Sequence, residues 1–402
     1  MKLLHINEYY SLEGGLEQYL SNLCLELEAR GHENIIVYGS EGTKTPDHGR
    51  KSLHIPQITA YKCPDIASKL DKLKRWLAEE KPDIVFVHQV LNHRLIQFLA
   101  QHKPIIRFVH GFKLTCPGGR RLLKPENSVC RQPLSYSCQI RAYWGRCMPR
   151  NPKVGLELIA NCRKLAAVHK KYGRLIVASG FMKQILISNG FDPAKIAVIP
   201  YFTYLPRLPE NDSELPESLI LCVSRLTPEK GVDRLLNALR QVDESAKLVI
   251  VGDGPSLPEL KEKVKTLNLA ARVKFTGWLP NSQIAQYYRQ CTLAVVPSLW
   301  PEPFGIVGIE AMAYGKPVIA FDNGGIAEWL EDQVTGYLVG RGNEIMLAKK
   351  INYLLQHRDT AQAMGNRGRR AVELRFTPEE HVNKLLGLFE DIVRQTHLPV
   401  SI

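Results

Sequence analysis

The sequence predicts an α/β protein built from two Rossmann-like, doubly wound parallel sheets. Short apolar strands alternate with helices along nearly the whole chain, the pattern of a parallel sheet with helical crossovers. The alternation breaks once, at YFTYLPRLPENDSELPES (201–218), where three prolines and a polar run mark a linker. With 402 residues the chain can bury a separate core on each side of that break.

In the first half, KLLHIN (2–7) is a strand. The helix after it carries Leu16, Leu20, Leu23 and Leu27 at helical spacing and ends at Gly31. NIIVYG (34–39) is the next strand, ASKLDKLKRWLAEEKP (67–82) a helix closed by Pro82, and DIVFVHQ (83–89) a strand. HRLIQFLAQHKP leads as a helix into the strand IIRFVHG (105–111), and LIVASG (175–180) and KIAVIP (195–200) continue the series. Beyond the linker the strands are LILCVSR (219–225), KLVIVGDG (247–254), RVKFTGWL (272–279), LAVVPS (293–298) and PVIAF (317–321). Helices separate them, and a closing helical series runs to about residue 395. The expected division is a first domain over 1–200 and a second over 219–385. A helix and tail over 386–402 cross back to the first, and the two domains flank a cleft.

Apolar content of 45% and charged content of 23% are those of a globular protein. No apolar run approaches the roughly 18 residues of a membrane span, and MKLLHINEYY turns polar too early for a signal peptide. The nine cysteines are scattered, which favours a reducing compartment. A cytoplasmic protein is expected, with the inner face of the membrane as a site of peripheral attachment. The net charge of +13 is uneven: residues 1–200 hold 30 Lys and Arg against 16 Asp and Glu, whereas 201–402 hold 23 against 24. Residues 101–174 alone hold 16 basic and 2 acidic residues. Such a segment is either a solvated face or a surface for anionic lipid or phosphorylated ligands. No nucleic-acid-binding motif accompanies it, so nucleic acid is not an expected partner.

The most informative stretch is PEPFGIVGIEAMAYGKPVIA (301–320), with Glu302 and Glu310 eight positions apart. Eight helical residues turn through about 800°, so a single helix would not aim both acids at one point. Prolines on both sides of Glu302 keep it out of a helix, while Glu310 lies on the second turn of the helix that begins near Gly305. Both acids then face the carboxyl edge of a parallel sheet, where open α/β folds bind ligands. In VSRLTPEKGVDRLL (223–236), Arg225 and Lys230 lie between a strand end and a helix start. Two cations beside free helix amides suit a diphosphate. Gly252 and Gly254 in VGDGP, the glycines of GGIAE (324–328), and Gly14 and Gly15 in LEGGLE are turns that admit close backbone approach, or serve only packing. His110 ends a buried strand at the same kind of edge, in a structural or a functional role.

Arg225 and Lys230, Glu302 and Glu310, the glycines at 14–15 and Asn323-Gly324-Gly325 together resemble glycosyltransferase family 4, the retaining transferases of the GT-B fold. The resemblance is strong over 219–340 and poor over 112–165. It implies two domains about a central cleft and a nucleotide-sugar donor, with no cofactor required for catalysis. Arg225 and Lys230 would bind the diphosphate, Glu310 the ribose, and Glu302 the transferred sugar near the backbone of Phe304, Gly305, Ile306 and Val307. Gly15 would approach the phosphates and His110 the donor sugar. The implied acceptor is a cell-surface glycan or lipid-linked saccharide, such as a lipopolysaccharide or exopolysaccharide.

The basic insert at about 112–165 departs from that pattern. Cys116, Cys130, Cys138 and Cys147 could hold a structural zinc, although the C-x2-C pairs typical of such sites are missing; independent thiols, disulfides and an iron–sulfur cluster are the alternatives. Arginines interleaved with Tyr136, Tyr143 and Trp144 suggest a lobe that meets a lipid-linked phosphate or an anionic membrane. Two other functions fit less well: a nucleotide-sugar epimerase of similar build, and a catalytically silent basic protein binding membrane or RNA. A dehydrogenase is disfavoured because the first turn lacks G-x-G-x-x-G.

Overall fold

The structure is a computed structural model that describes residues 1–11, 14–42, 49–124, 128–207 and 218–397. The chain divides into two units, Met1–Pro200 with Pro378–Ile402, and Tyr201–Thr377. Residues 208–217 of the expected linker, and Leu12 and Glu13 of the first turn, lie outside the described residues.

The first unit opens with β1 (Lys2–Tyr10), α1 (Gly15–Glu28), β2 (Glu33–Glu41), β3 (Ser52–His54), α2 (Ile66–Glu80), β4 (Ile84–Val87), α3 (His93–His102) and β5 (Ile105–Phe108). The basic segment follows as a short hairpin, β6 (Leu122–Leu123) and β7 (Ser128–Val129), with α4 (Cys138–Gly145) and the long α5 (Pro152–Tyr172). Next come β8 (Arg174–Val177), α6 (Gly180–Ile187) and β9 (Ile196–Val198). The main sheet is parallel, in the order β3-β2-β1-β4-β5-β8-β9. All of β4 and β5 is buried, as expected for strands covered on both faces. Helix starts are fixed by side chains: Asn92 accepts from the amides of Arg94 and Leu95, and Asn151 caps α5 with Pro152 in its first turn.

The second unit comprises β10 (Leu219–Val223), α7 (Val232–Leu239), β11 (Lys247–Val251), α8 (Leu257–Thr266), β12 (Val273–Gly277), α9 (Asn281–Gln290), β13 (Leu293–Val296), α10 (Ile306–Ala313), β14 (Val318–Asp322), β15 (Gly336–Gly340), α11 (Glu344–Gln356) and α12 (Arg358–Arg375). Its sheet is also parallel, in the order β12-β11-β10-β13-β14-β15. Leu235, Leu239, Ile250, Leu293, Ile319 and Leu347 lie in one core between this sheet and its helices. The last helix, α13 (Pro378–His397), belongs to the first unit. There Phe389 meets Phe86 with ring centres 5.2 Å apart, and His381 bonds the Tyr19 hydroxyl at 2.8 Å.

One expectation is corrected. The closing region is not wholly helical, because Gly336–Gly340 pairs with β14 as a further strand.

In both sheets the strand order reverses, between β1 and β4 in the first and between β10 and β13 in the second. The loops leaving the carboxyl ends of those strand pairs diverge to opposite sides, and the crevice between them is where doubly wound sheets bind ligands.

Candidate active site

The reversal in the second unit gathers the two most informative motifs. After β10 the chain passes Arg225, makes a single turn at Pro228–Lys230 and enters α7 through Gly231. Gly231 has φ 66°, and a Cβ there would lie 2.0 Å from the Pro297 carbonyl oxygen, so only glycine admits the loop that follows β13. That loop is tied down by the Leu299 and Trp300 amides, both donating to the Glu229 carbonyl at 2.9 Å. Glu302 is thereby delivered to Lys230, whose Nζ donates to its Oε1 at 2.6 Å. The carboxylate side chain is only 7% exposed, and the ammonium, 24% exposed, also lies 4.9 Å from the Trp300 ring centre. From the far side, the Gly325 amide donates to the Glu302 carbonyl at 2.7 Å.

Arg225 is exposed, and its guanidinium makes no hydrogen bond or ion pair among the described residues. The glycines beside it serve the protein's own packing. A Cβ on Gly252 or Gly254 would fall 1.9 Å from the Ser224 carbonyl oxygen or 2.3 Å from that of Leu226. These glycines therefore hold the loop after β11 against the Arg225 loop.

Gly305 precedes α10, whose first turn contains Ile306 and Val307, with amides that the helix itself leaves unbonded. Phe304 is buried between Tyr201 and Phe376, and its carbonyl accepts from the Trp329 indole at 2.7 Å. Glu310, one turn into α10, accepts from the Tyr288 hydroxyl at 2.9 Å. Burial raises its carboxyl above the ordinary value, and the Tyr288 bond opposes that rise.

In the first unit, Gly14 and Gly15 start α1 after β1, with Gly14 at φ 108°. His110 follows β5 and stacks on Phe108 with ring centres 4.5 Å apart. Cys116, Cys130, Cys138 and Cys147, free thiols from four separate turns of chain, all line one cavity of about 20 Å³ that Arg121 and Arg141 also border. Among the described residues no group of three or more His, Cys, Asp or Glu side chains is arranged to hold a metal ion. Burial pushes the Cys147 thiol up to about 11, aided by the charges of the other three.

Sequence reasoning missed Tyr288, Trp300 and Trp329, which position Glu310, Lys230 and Phe304 respectively. Only Trp300, next to the PEPFG motif, carried a signal; Tyr288 and Trp329 act through the fold.

Two family models match the chain: glycosyltransferase family 4 over residues 13–203, and glycosyl transferases group 1 over 208–371. Among solved structures, Anabaena HepE in complex with UDP is similar at a TM-score of 0.75 and 21% identity, covering 97% of this chain and 100% of that one. Sucrose-phosphate synthase from Thermosynechococcus elongatus gives 0.75 at 22%, covering 98% and 100%. The fold is thus of the α/β GT-B class, and the chain belongs to the glycosyltransferases of family 4. Its curated relatives include the GDP-mannose-dependent alpha-(1-6)-phosphatidylinositol monomannoside mannosyltransferase of Mycobacterium tuberculosis. That protein is 37% identical over 160 residues, 37% of this chain and 41% of its own length. N-acetyl-alpha-D-glucosaminyl L-malate synthase of Bacillus anthracis is 32% identical over 180 residues, 44% and 46% of the two chains. The matched regions span less than half the length of these relatives.

Removing the Lys230 ammonium strands a buried carboxylate, so Lys230→Ala is expected to lower stability by about 1–3 kcal/mol. In a Glu302→Gln background the same change should cost much less. A double-mutant cycle on thermal unfolding checks this, and additive effects would show that the pair is not coupled.

Proposed function

We propose that the protein is a retaining glycosyltransferase that moves a hexose from a nucleotide-diphosphate sugar to a cell-surface glycan or lipid-linked saccharide. The observation that carries this reading is the Lys230–Glu302 pair at the strand-order reversal of the second unit, with Arg225 exposed on the same loop. Arg225 and Lys230 would take the diphosphate and stabilise the charge that builds on it as the sugar departs. Glu302 keeps the ammonium in place before the ligand arrives and would accept from hydroxyls of the transferred sugar. The amides of the first turn of α10 would face the same sugar, and Glu310 would accept from the ribose hydroxyls. In the first unit, Gly14 and Gly15 would admit the phosphates and His110 would meet the donor sugar.

The acceptor hydroxyl would attack the anomeric carbon from the face that the diphosphate leaves. The carbon–oxygen bond to the diphosphate breaks as the bond to the acceptor oxygen forms, and the acceptor's proton passes to the departing phosphate oxygen. No side chain need become covalently attached, and two cations supply the counter-charge. The complexes of HepE with UDP and with UDP-glucose support a nucleotide-sugar donor by likeness of fold.

An anionic membrane surface is the partner that the basic lobe fits. An open pocket of about 340 Å³ is lined by Arg120, Lys124 and Arg146, and among the described residues no acidic one borders it. Close by in sequence, Tyr136, Ile140, Tyr143 and Trp144 are exposed, Trp144 by 76%. Cations beside exposed aromatics suit the interface of an anionic bilayer. Among the described residues no helix is long and apolar enough to cross one.

Incubating the protein with a panel of nucleotide sugars, with and without saccharide acceptors, should release nucleotide in step with glycosylated product. An altered sugar nucleotide formed from donor alone would instead identify an epimerase. Liposome flotation should recover the protein with anionic vesicles, and its vesicle affinity should fall about 100-fold when Arg120, Lys124 and Arg146 become glutamine, at about 1 kcal/mol per surface cation. Equal flotation of the two forms would remove the membrane from the account.

A further inference from the structure

A buried file of polar side chains crosses the first unit, one from each of four neighbouring chain segments: Asn34 on β2, His5 on β1, His88 just after β4 and His110 just after β5. Asn34 Oδ1 lies 2.9 Å from His5 Nε2, His5 Nδ1 lies 3.2 Å from His88 Nε2, and His88 Nδ1 lies 3.0 Å from His110 Nε2. Asn34, His5 and His88 are each less than 4% exposed.

We infer that Asn34, His5 and His88 are positioning residues that fix His110 as a neutral imidazole with its proton on Nε2. The direction is set at the far end of the file. The Asn34 amide nitrogen donates to the Cys24 carbonyl at 3.0 Å and to Glu28 Oε1 at 3.2 Å. Both of those groups only accept, so the amide cannot be turned over, and Oδ1 must face His5 as an acceptor. His5 therefore carries its proton on Nε2. A neutral ring holds one proton, so its Nδ1 accepts, and His88 must donate from Nε2. The same step moves the requirement to His110, which must donate from its own Nε2. Whatever hydrogen-bonds to the Nδ1 edge of His110 has to bring the hydrogen.

The steps hold only if the rings are neutral, and their surroundings ensure that they are. The charged and titratable groups facing them are Arg50 and Glu28 near His5, Arg107 near His88 and His110, and His381 and Tyr19 near His110. The carboxylate among these is already engaged, because Glu28 is paired with Arg50. Burial therefore lowers all three rings, His5 to about 4 and the other two well below their ordinary range. A neutral acceptor edge suits an alcohol hydroxyl and repels an anionic oxygen. On the proposed placement of His110 beside the donor, it would therefore select a hydroxyl of the sugar over a phosphoryl oxygen or a carboxylate. That last step rests on the glycosyl-transfer reading, whereas the tautomer does not.

The test is a nitrogen-15 NMR spectrum of the full-length, ligand-free protein labelled at histidine, with each ring assigned by His→Gln substitution. His5, His88 and His110 should show the neutral Nε2–H pattern, unchanged from about pH 8 to about pH 5.5, a span that includes the ordinary imidazole pKa. In His5→Gln the substituted amide can still accept from His88 and donate to Asn34, so the His110 pattern should persist. In His5→Leu the file loses its fixed end, and His110 should show a mixture of tautomers. A wild-type His110 bearing its proton on Nδ1, or titrating within that range, overturns the inference, as does an identical His110 signal in His5→Leu and wild type. Should His5→Leu fail to fold, the wild-type spectrum alone decides. Loss of transferase activity with the tautomer intact would count against the functional reading only.

Discussion

The reversal of strand order in each sheet is the constraint on which the rest of the molecule depends. A parallel sheet returns every loop of one kind to the same edge, and reversal separates two of those loops enough for a ligand to enter. In the second unit the loops concerned follow β10 and β13, and they bring Lys230 to Glu302 across 72 positions of sequence. In the first unit they follow β1 and β4, which carry the Gly14–Gly15 turn and His88. The chemistry is thus concentrated where topology leaves room, and the surrounding packing holds it there.

The ion pair between Lys230 and Glu302 shows how such a site is preorganised. A carboxylate this deeply buried would be costly without a partner, and an ammonium on a flexible stem would be costly to order when a ligand binds. Each group relieves the other's difficulty, and the Glu229 and Gly325 backbone bonds keep both in register. The buried imidazole file solves a different problem with the same economy. It transmits the orientation of one amide across the sheet to a ring at the carboxyl edge through neutral groups.

Much of this architecture was legible in the sequence, because strand and helix periods and the loops between them are local properties. The positions of Arg225, Lys230 and Glu302 in loops that follow strands, and of Glu310 on the helix after one of them, could be read directly. Their pairings could not, because a contact such as Lys230 to Glu302 depends on how two loops close over Gly231. Strand β15 was missed because GYLVG, with glycine at both ends, reads as a turn. Helix α5 was missed because Gly155 and a run of basic residues obscure an apolar stripe through Ile159, Cys162, Leu165 and Ala166. The four cysteines could be counted but not placed: they meet at one cavity without forming a ligand set.

The central claim is that the second unit grips a diphosphate with Arg225 and Lys230. Arg225 offers the most direct measurement, because its guanidinium is exposed and no bond among the described residues depends on it. Calorimetric titration of UDP and GDP into the wild-type protein and Arg225→Ala should show affinity for whichever nucleotide binds falling about 10- to 150-fold, as loss of one charge-assisted bond requires, with the unfolding temperature unchanged. Equal affinity in the two proteins would contradict the account.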